Sequence, residues 1–156
     1  MIVMDSLAWM RQNKIWKLYS FCLMPNHLHT IVQLLDDRPI EKVVGQFHSF
    51  TGHKIVEMLK LDGNSINAAF FQQRGLKKGD RNFLIWEDCL ARNIETEQVL
   101  LESVEYIHNN PFNKKWHLVD ERSDYDYSSA CYYDLGKKPI VEIDDIQELL
   151  GGVPSL

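Results

Sequence analysis

The stretch Ile15–Leu35, IWKLYSFCLMPNHLHTIVQLL, decides the fold. Two runs rich in aromatic and aliphatic residues, Ile15–Met24 and His27–Leu35, flank the turn dipeptide Pro25-Asn26. They read as the two strands of an antiparallel hairpin. On a strand, residues i and i+2 share a face. His27 and His29 therefore project side by side, and Leu28 points to the opposite layer. Two neutral imidazoles so placed are half of a site for a divalent cation, and at least one more ligand must come from elsewhere. The plain alternative is a pair of structural histidines on a polar sheet face. Coordination answers the demand of both rings for polar partners at once.

Working outward, Met1–Asn13 reads as a short helix. From Pro39 the period changes: Ile40, Val43, Val44, Phe47, Thr51, Ile55, Met58 and Leu59 follow helical spacing, with Pro39 at a favourable helix start. Leu61–Asp80, with Gly63, Asn64, Gly75 and Gly79, reads as a loop, and Phe83–Trp86 as a short strand. Glu95–Asn110 predicts a second long helix whose core stripe is Leu100, Leu101, Val104 and Ile107. Pro111 ends it. A short helix is expected around Ile143–Leu150. No repeat or low-complexity tract is present. Strands and helices alternate without a βαβ repeat, which predicts an α+β fold, an antiparallel sheet with helices packed on it.

The second long helix carries Tyr106-Ile107-His108-Asn109-Asn110-Pro111. Residues four apart lie on one helix face, so Tyr106 and Asn110 are neighbours, and Tyr106 sits off the middle of the apolar stripe. A boundary tyrosine with a packed ring and a wet hydroxyl is the bland reading. The chemical one is a phenolic nucleophile beside an amide-oxygen ligand. A phenol that titrates near pH 10 attacks well only a phosphate made electrophilic. A cation on two histidines can do that as a Lewis acid. Asn110 would complete a mixed nitrogen and oxygen site suited to Mg²⁺ or Mn²⁺.

Bulk properties set the bounds. The 156 residues suit one domain, 1–156, with 134–156 as an acidic C-terminal extension. No run of about 18 apolar residues is present, so no membrane partner is expected. Cys22, Cys89 and Cys131 fit neither a disulfide framework nor a CxxC metal site, and a reducing cytoplasm is the expected compartment. The net charge of −5 is unlike the basic footprint of a nucleic-acid binder. It is concentrated, however, between Glu121 and Glu148, where eight acidic residues face three basic ones. Basic candidates elsewhere are Arg74, Lys77, Lys78 and Arg81, in a loop able to follow a phosphate backbone, and Arg92. Trp86 and Trp116 are candidates for stacking on bases.

His27-Leu28-His29 resembles the HUH motif (histidine, hydrophobic, histidine) of single-strand DNA nickases. The longer string Tyr19–Val32, YSFCLMPNHLHTIV, resembles the REP-associated tyrosine transposases. Phe47–Ile55, the Trp86-Glu87 step, Tyr106–Val119 and Tyr125–Tyr132 resemble further motifs of that family in the right order, over roughly residues 15–133. The resemblance implies a ferredoxin-like antiparallel sheet with helices on one face and the HUH motif on a central strand. It implies Tyr106 as the nucleophile forming a 5′-phosphotyrosyl link, with His27, His29 and Asn110 as metal ligands. The implied substrate is single-stranded DNA with hairpins. The family has a strand ahead of its first helix that is expected to be missing here. The sheet edge so exposed favours a homodimer. His48 stands where the family carries a lysine. Two alternatives remain beside the transposase reading. One is a truncated or domesticated, non-catalytic DNA-hairpin binder. The other is a metallohydrolase with Glu102 as base, which leaves Tyr106 without a role.

Overall fold

The computed structural model describes residues 1–35, 37–77, 82–87 and 89–150. Helix α1 (Ile2–Gln12) leads into strand β1 (Trp16–Leu23), which pairs antiparallel with β2 (Leu28–Leu34). Helices α2 (Ile40–Leu61), α3 (Ser65–Lys77), α4 (Glu97–Asn109), α5 (Ala130–Leu135) and α6 (Gln147–Leu150) follow. The chain forms two compact units. One comprises Met1–Ser6 with Asp37–Ala91, and the other Leu7–Asp36 with Arg92–Leu156. Among the described residues no helix is long and apolar enough to cross a membrane.

In the second unit the hairpin is closed at its turn by the Met24 N–H, which donates to His27 O at 2.8 Å. Pairing runs from Trp16 opposite Leu34 to Leu23 opposite Leu28, with a register shift between Leu18 and Ser20. Tyr19 is the extra residue of this bulge. A bulge sets two neighbouring side chains on nearly the same side, so Tyr19 joins the face of Ser20, Cys22 and Met24. Its hydroxyl donates to Gln33 Oε1 at 2.8 Å, across the sheet on that same face. His27, His29 and Ile31 share this face by alternation.

Helix α4 packs here. It starts at Thr96, whose Oγ1 accepts from the Val99 N–H. Leu100, Val104 and Ile107 bury against Tyr19, Cys22, Met24 and Ile31. His108 joins the same side as a polar bolt. Its Nε2 lies 3.1 Å from Ser20 Oγ and 2.8 Å from Ser129 Oγ. Burial, with a smaller effect from the Arg122 charge, pulls this imidazole down to about 4.

Strand β1 is satisfied on its other edge as well. Leu23 N–H donates to Tyr127 O, Ser129 N–H to Phe21 O, and Phe21 N–H to Ser129 Oγ. Further along, the Leu18 N–H donates to Asp144 Oδ2 at 2.8 Å, and Asp144 N–H returns a bond to Leu18 O at 2.7 Å. Arg11 holds that carboxylate through Nε and Nη2.

In the first unit, α2 and α3 pack as a helical pair joined at Gly63, whose φ of +69° suits glycine. The segment 82–87 lies along α2. Gly52 permits this: a Cβ there would stand 3.2 Å from the Phe83 ring.

Several expectations need correction. Leu61–Asp80 was expected as a loop, yet Ser65–Lys77 is helical, because Ala68 gives α3 a buried contact point and Gly75 is tolerated within it. Phe83–Trp86 forms no strand. One backbone bond, Leu84 N–H to Phe71 O, and its side chains hold it. The expected helix at Ile143–Leu150 is confined to Gln147–Leu150. Among the described residues the sheet has two antiparallel strands, β1 and β2, with an isolated antiparallel bridge between Cys22 and Ser128.

Asp144→Ala should lower the unfolding free energy by about 2–3 kcal/mol, since it strips charge-assisted bonds from a buried strand edge. Glu142→Ala, at an exposed arm of the Arg11 cluster, should cost under about 1 kcal/mol. Urea denaturation compares the two. His108 should also make stability fall on acidification. Unfolded, it takes up a proton near its ordinary 6.5, whereas folded it resists to about 4. The contribution is therefore full above 6.5 and lost as pH drops through that window. His108→Gln should lose less stability than the parent between pH 7 and pH 4.5, read as the shift in urea midpoint.

Candidate active site

The hairpin turn orients His27. The Asn26 side chain meets its ring at Nδ1 through Oδ1. An amide oxygen only accepts, so Nδ1 carries the proton and donates, leaving Nε2 with its lone pair. Burial lowers the affinity of His27 for a second proton, and the charge of Lys115 adds to this. His29 follows on β2, with ring centroids 4.8 Å apart and planes at 86°. Its Nε2 is buried and has no hydrogen-bond partner among the described residues. Burial first, and His27 second, push its pKa down. Both rings are thus held neutral with a nitrogen to offer.

Tyr106 lies against this pair. Its ring centroid is 5.5 Å from that of His29, at 80°. The tyrosine is nonetheless 63% exposed, so a ligand can reach it. Across the site, the Trp116 ring stands 5.9 Å from His27, and Lys115 Nζ lies 5.9 Å from the Trp116 centroid. A cation beside two neutral imidazoles favours an anionic ligand.

Asn110 caps α4 one turn beyond Tyr106, buried, and its Nδ2 donates to Tyr106 O at 2.8 Å. That orientation leaves Oδ1 as the free end of the amide, although no contact joins it to the histidines among the described residues. Glu102 is engaged by Gln98 on the outside of α4. Arg92 is exposed in the segment before α4. Arg74 and Lys77 stand in the last turn of α3, in the first unit, where Arg74 pairs with Glu87. Lys78 and Arg81 lie outside the described residues.

The donor set fits a divalent cation in part. His29 Nε2 is an orphaned buried nitrogen, which a coordinate bond would satisfy. Among the described residues no cluster of three His, Cys, Asp or Glu side chains is present. A cation held by the two histidines would take its other ligands from amide, water or phosphate oxygens, which Mg²⁺ and Mn²⁺ accept.

Sequence reasoning overlooked two contributors. Asn26 was read as a turn residue and proves to be the partner that orients His27. His108 was passed over between Tyr106 and Asn110, and it ties their helix to β1. A polar residue on the apolar side of an amphipathic helix was the available signal.

No curated protein and no solved structure matches the chain. Residues 4–75 match the family described as IS200-like transposases. That stretch spans the whole hairpin with both histidines, and it ends before the tyrosine helix, so the similarity to this transposase family rests on the histidine half of the site.

Proposed function

We propose that the chain is a transposase-like enzyme, a metal-dependent endonuclease and strand transferase acting on hairpin-containing single-stranded DNA. The observation that carries this reading is the contact of Tyr106 with His29, which joins an accessible phenol to two neutral imidazoles. The similarity of residues 4–75 to IS200-like transposases supports it. The REP-associated branch is the finer assignment, and it rests on the motifs quoted above.

His27 and His29 would hold Mg²⁺ or Mn²⁺, with the Asn110 amide oxygen as a further ligand. When bound, the cation supplies Lewis-acid polarisation of the scissile phosphate. Tyr106 Oη then forms a bond to phosphorus as the bond to the 3′-oxygen breaks. The phenol proton passes to solvent, and the leaving oxygen takes one up. The product is a 5′-phosphotyrosyl link with a free 3′-hydroxyl. It preserves the phosphodiester energy for rejoining, so no nucleotide cofactor is required. Lys115 and Trp116 border the space where the strand would lie. Asn26 keeps His27 in the tautomer that presents Nε2.

On a denaturing gel with labelled hairpin DNA and Mn²⁺, the parent protein should give a slow-migrating covalent band. Tyr106→Phe should give none while still binding the hairpin. An adduct with the Phe variant would refute the nucleophile, and hairpin binding without an adduct from the parent would favour a non-catalytic binder. Calorimetric titration tests the ligands. Asn26→Ala should weaken Mn²⁺ binding by about 10–100-fold through lost ring orientation. His29→Ala should weaken it further.

A further inference from the structure

The first unit holds a cavity of about 490 Å³ between the outer face of α2 and the 82–87 segment. This lies within the range of small-molecule sites. Its walls are aromatic and ordered. Trp86 Nε1 donates to Thr51 Oγ1 at 2.8 Å, which fixes the indole plane. His48 stacks flat on that indole, with centroids 4.9 Å apart and planes at 9°. Phe83 stands edge-on to His53 at 4.7 Å. Gly45 opens the space, because a Cβ built there meets nothing within 4 Å. Ser49 and Asn82 add donors and acceptors to the lining.

The lining is poorly suited to an anion. Arg74 is paired with the carboxylate of Glu87 at the rim. Burial keeps His48 from protonating readily. What remains is flat aromatic surface with a few neutral polar groups, the complement of a planar, uncharged heterocycle that carries hydrogen-bonding edges. Proteins hold unstacked bases of single strands in this manner.

We infer that the cavity bounded by Gly45, His48 and Trp86 is a subsite for one unstacked nucleobase of single-stranded DNA. This rests on the reading of the chain as a single-strand DNA-processing protein. The subsite belongs to the first unit, whereas the histidines and Tyr106 belong to the second.

Gly45→Leu fills the cavity from a helix interior, where leucine is the better helix former, so the melting temperature should not fall. Binding of a labelled hairpin oligonucleotide with a single-stranded flank is followed by anisotropy. A series in which one flank position at a time is abasic is titrated alongside. For the parent protein, one abasic position should cost about tenfold in affinity. Gly45→Leu should weaken the intact oligonucleotide by about the same factor and respond no further to that abasic position. His48→Leu, which removes one stacked ring, should show a reduced abasic response. If Gly45→Leu binds like the parent, or keeps the parent's abasic profile, the subsite is refuted. The Tyr106 adduct on the same oligonucleotide reports the proposed function separately. Adduct formation without a Gly45 effect removes the subsite alone, and failure of the parent to bind DNA removes both.

Discussion

Strand β1 is buried on both faces and along both edges, and every backbone amide and carbonyl in it needs a partner. β2 supplies one edge. The other is supplied piecemeal by Tyr127, Ser129 and the carboxylate of Asp144. This second edge is unusual because side chains do part of the work of a strand. Asp144 accepts from Leu18 and is held by Arg11, while Ser129 bonds both β1 and His108. The chain after α4 is thereby tied to the first hairpin, and α4 is pinned between them.

The placement of Tyr106 follows from that pinning. The residues of α4 that face the sheet are Leu100, Val104, Ile107 and His108, all buried. Tyr106 falls to the side of this stripe, close enough to touch His29 and exposed enough to meet a substrate. The apolar contacts fix the depth of the helix. The His108–Ser20–Ser129 bonds fix its rotation and its position along the axis, which nonspecific apolar packing leaves loosely defined. Precision at a site depends on such locked neighbours.

The hairpin was legible because Pro25-Asn26 separates two strand-like runs, and the period of two put His27 and His29 on one face. Helix α4 was legible from Leu100, Val104 and Ile107 of its stripe and from Pro111, whereas Leu101, read as core with them, is exposed. Other elements depend on partners remote in sequence. Helix α3 carries Gly75 and several polar side chains, and it reads as helix only once its packing on α2 is known. Phe83–Trp86 has the composition of a strand, but its side chains dock on α2 and leave no ladder to join. The bulge at Tyr19 has no glycine to announce it. At the site, the side-by-side histidines and the tyrosine one turn before Asn110 were visible locally. The contact between Tyr106 and His29 was not, because it joins residues on opposite sides of a long intervening segment.

That segment has a consequence for how the protein is made. Asp37–Ala91 belong to the first unit, while the second is assembled from chain on either side of them. During synthesis the hairpin leaves the ribosome well before α4 and the residues that cover the outer edge of β1. For that interval β1 is a bare, apolar strand edge, the kind of surface that recruits other chains. The α2–α3 pair, whose contacts are local, can form meanwhile and shorten the effective distance over which the two halves must meet. The protein thus carries a nascent-chain vulnerability in the same strand that later organises its site.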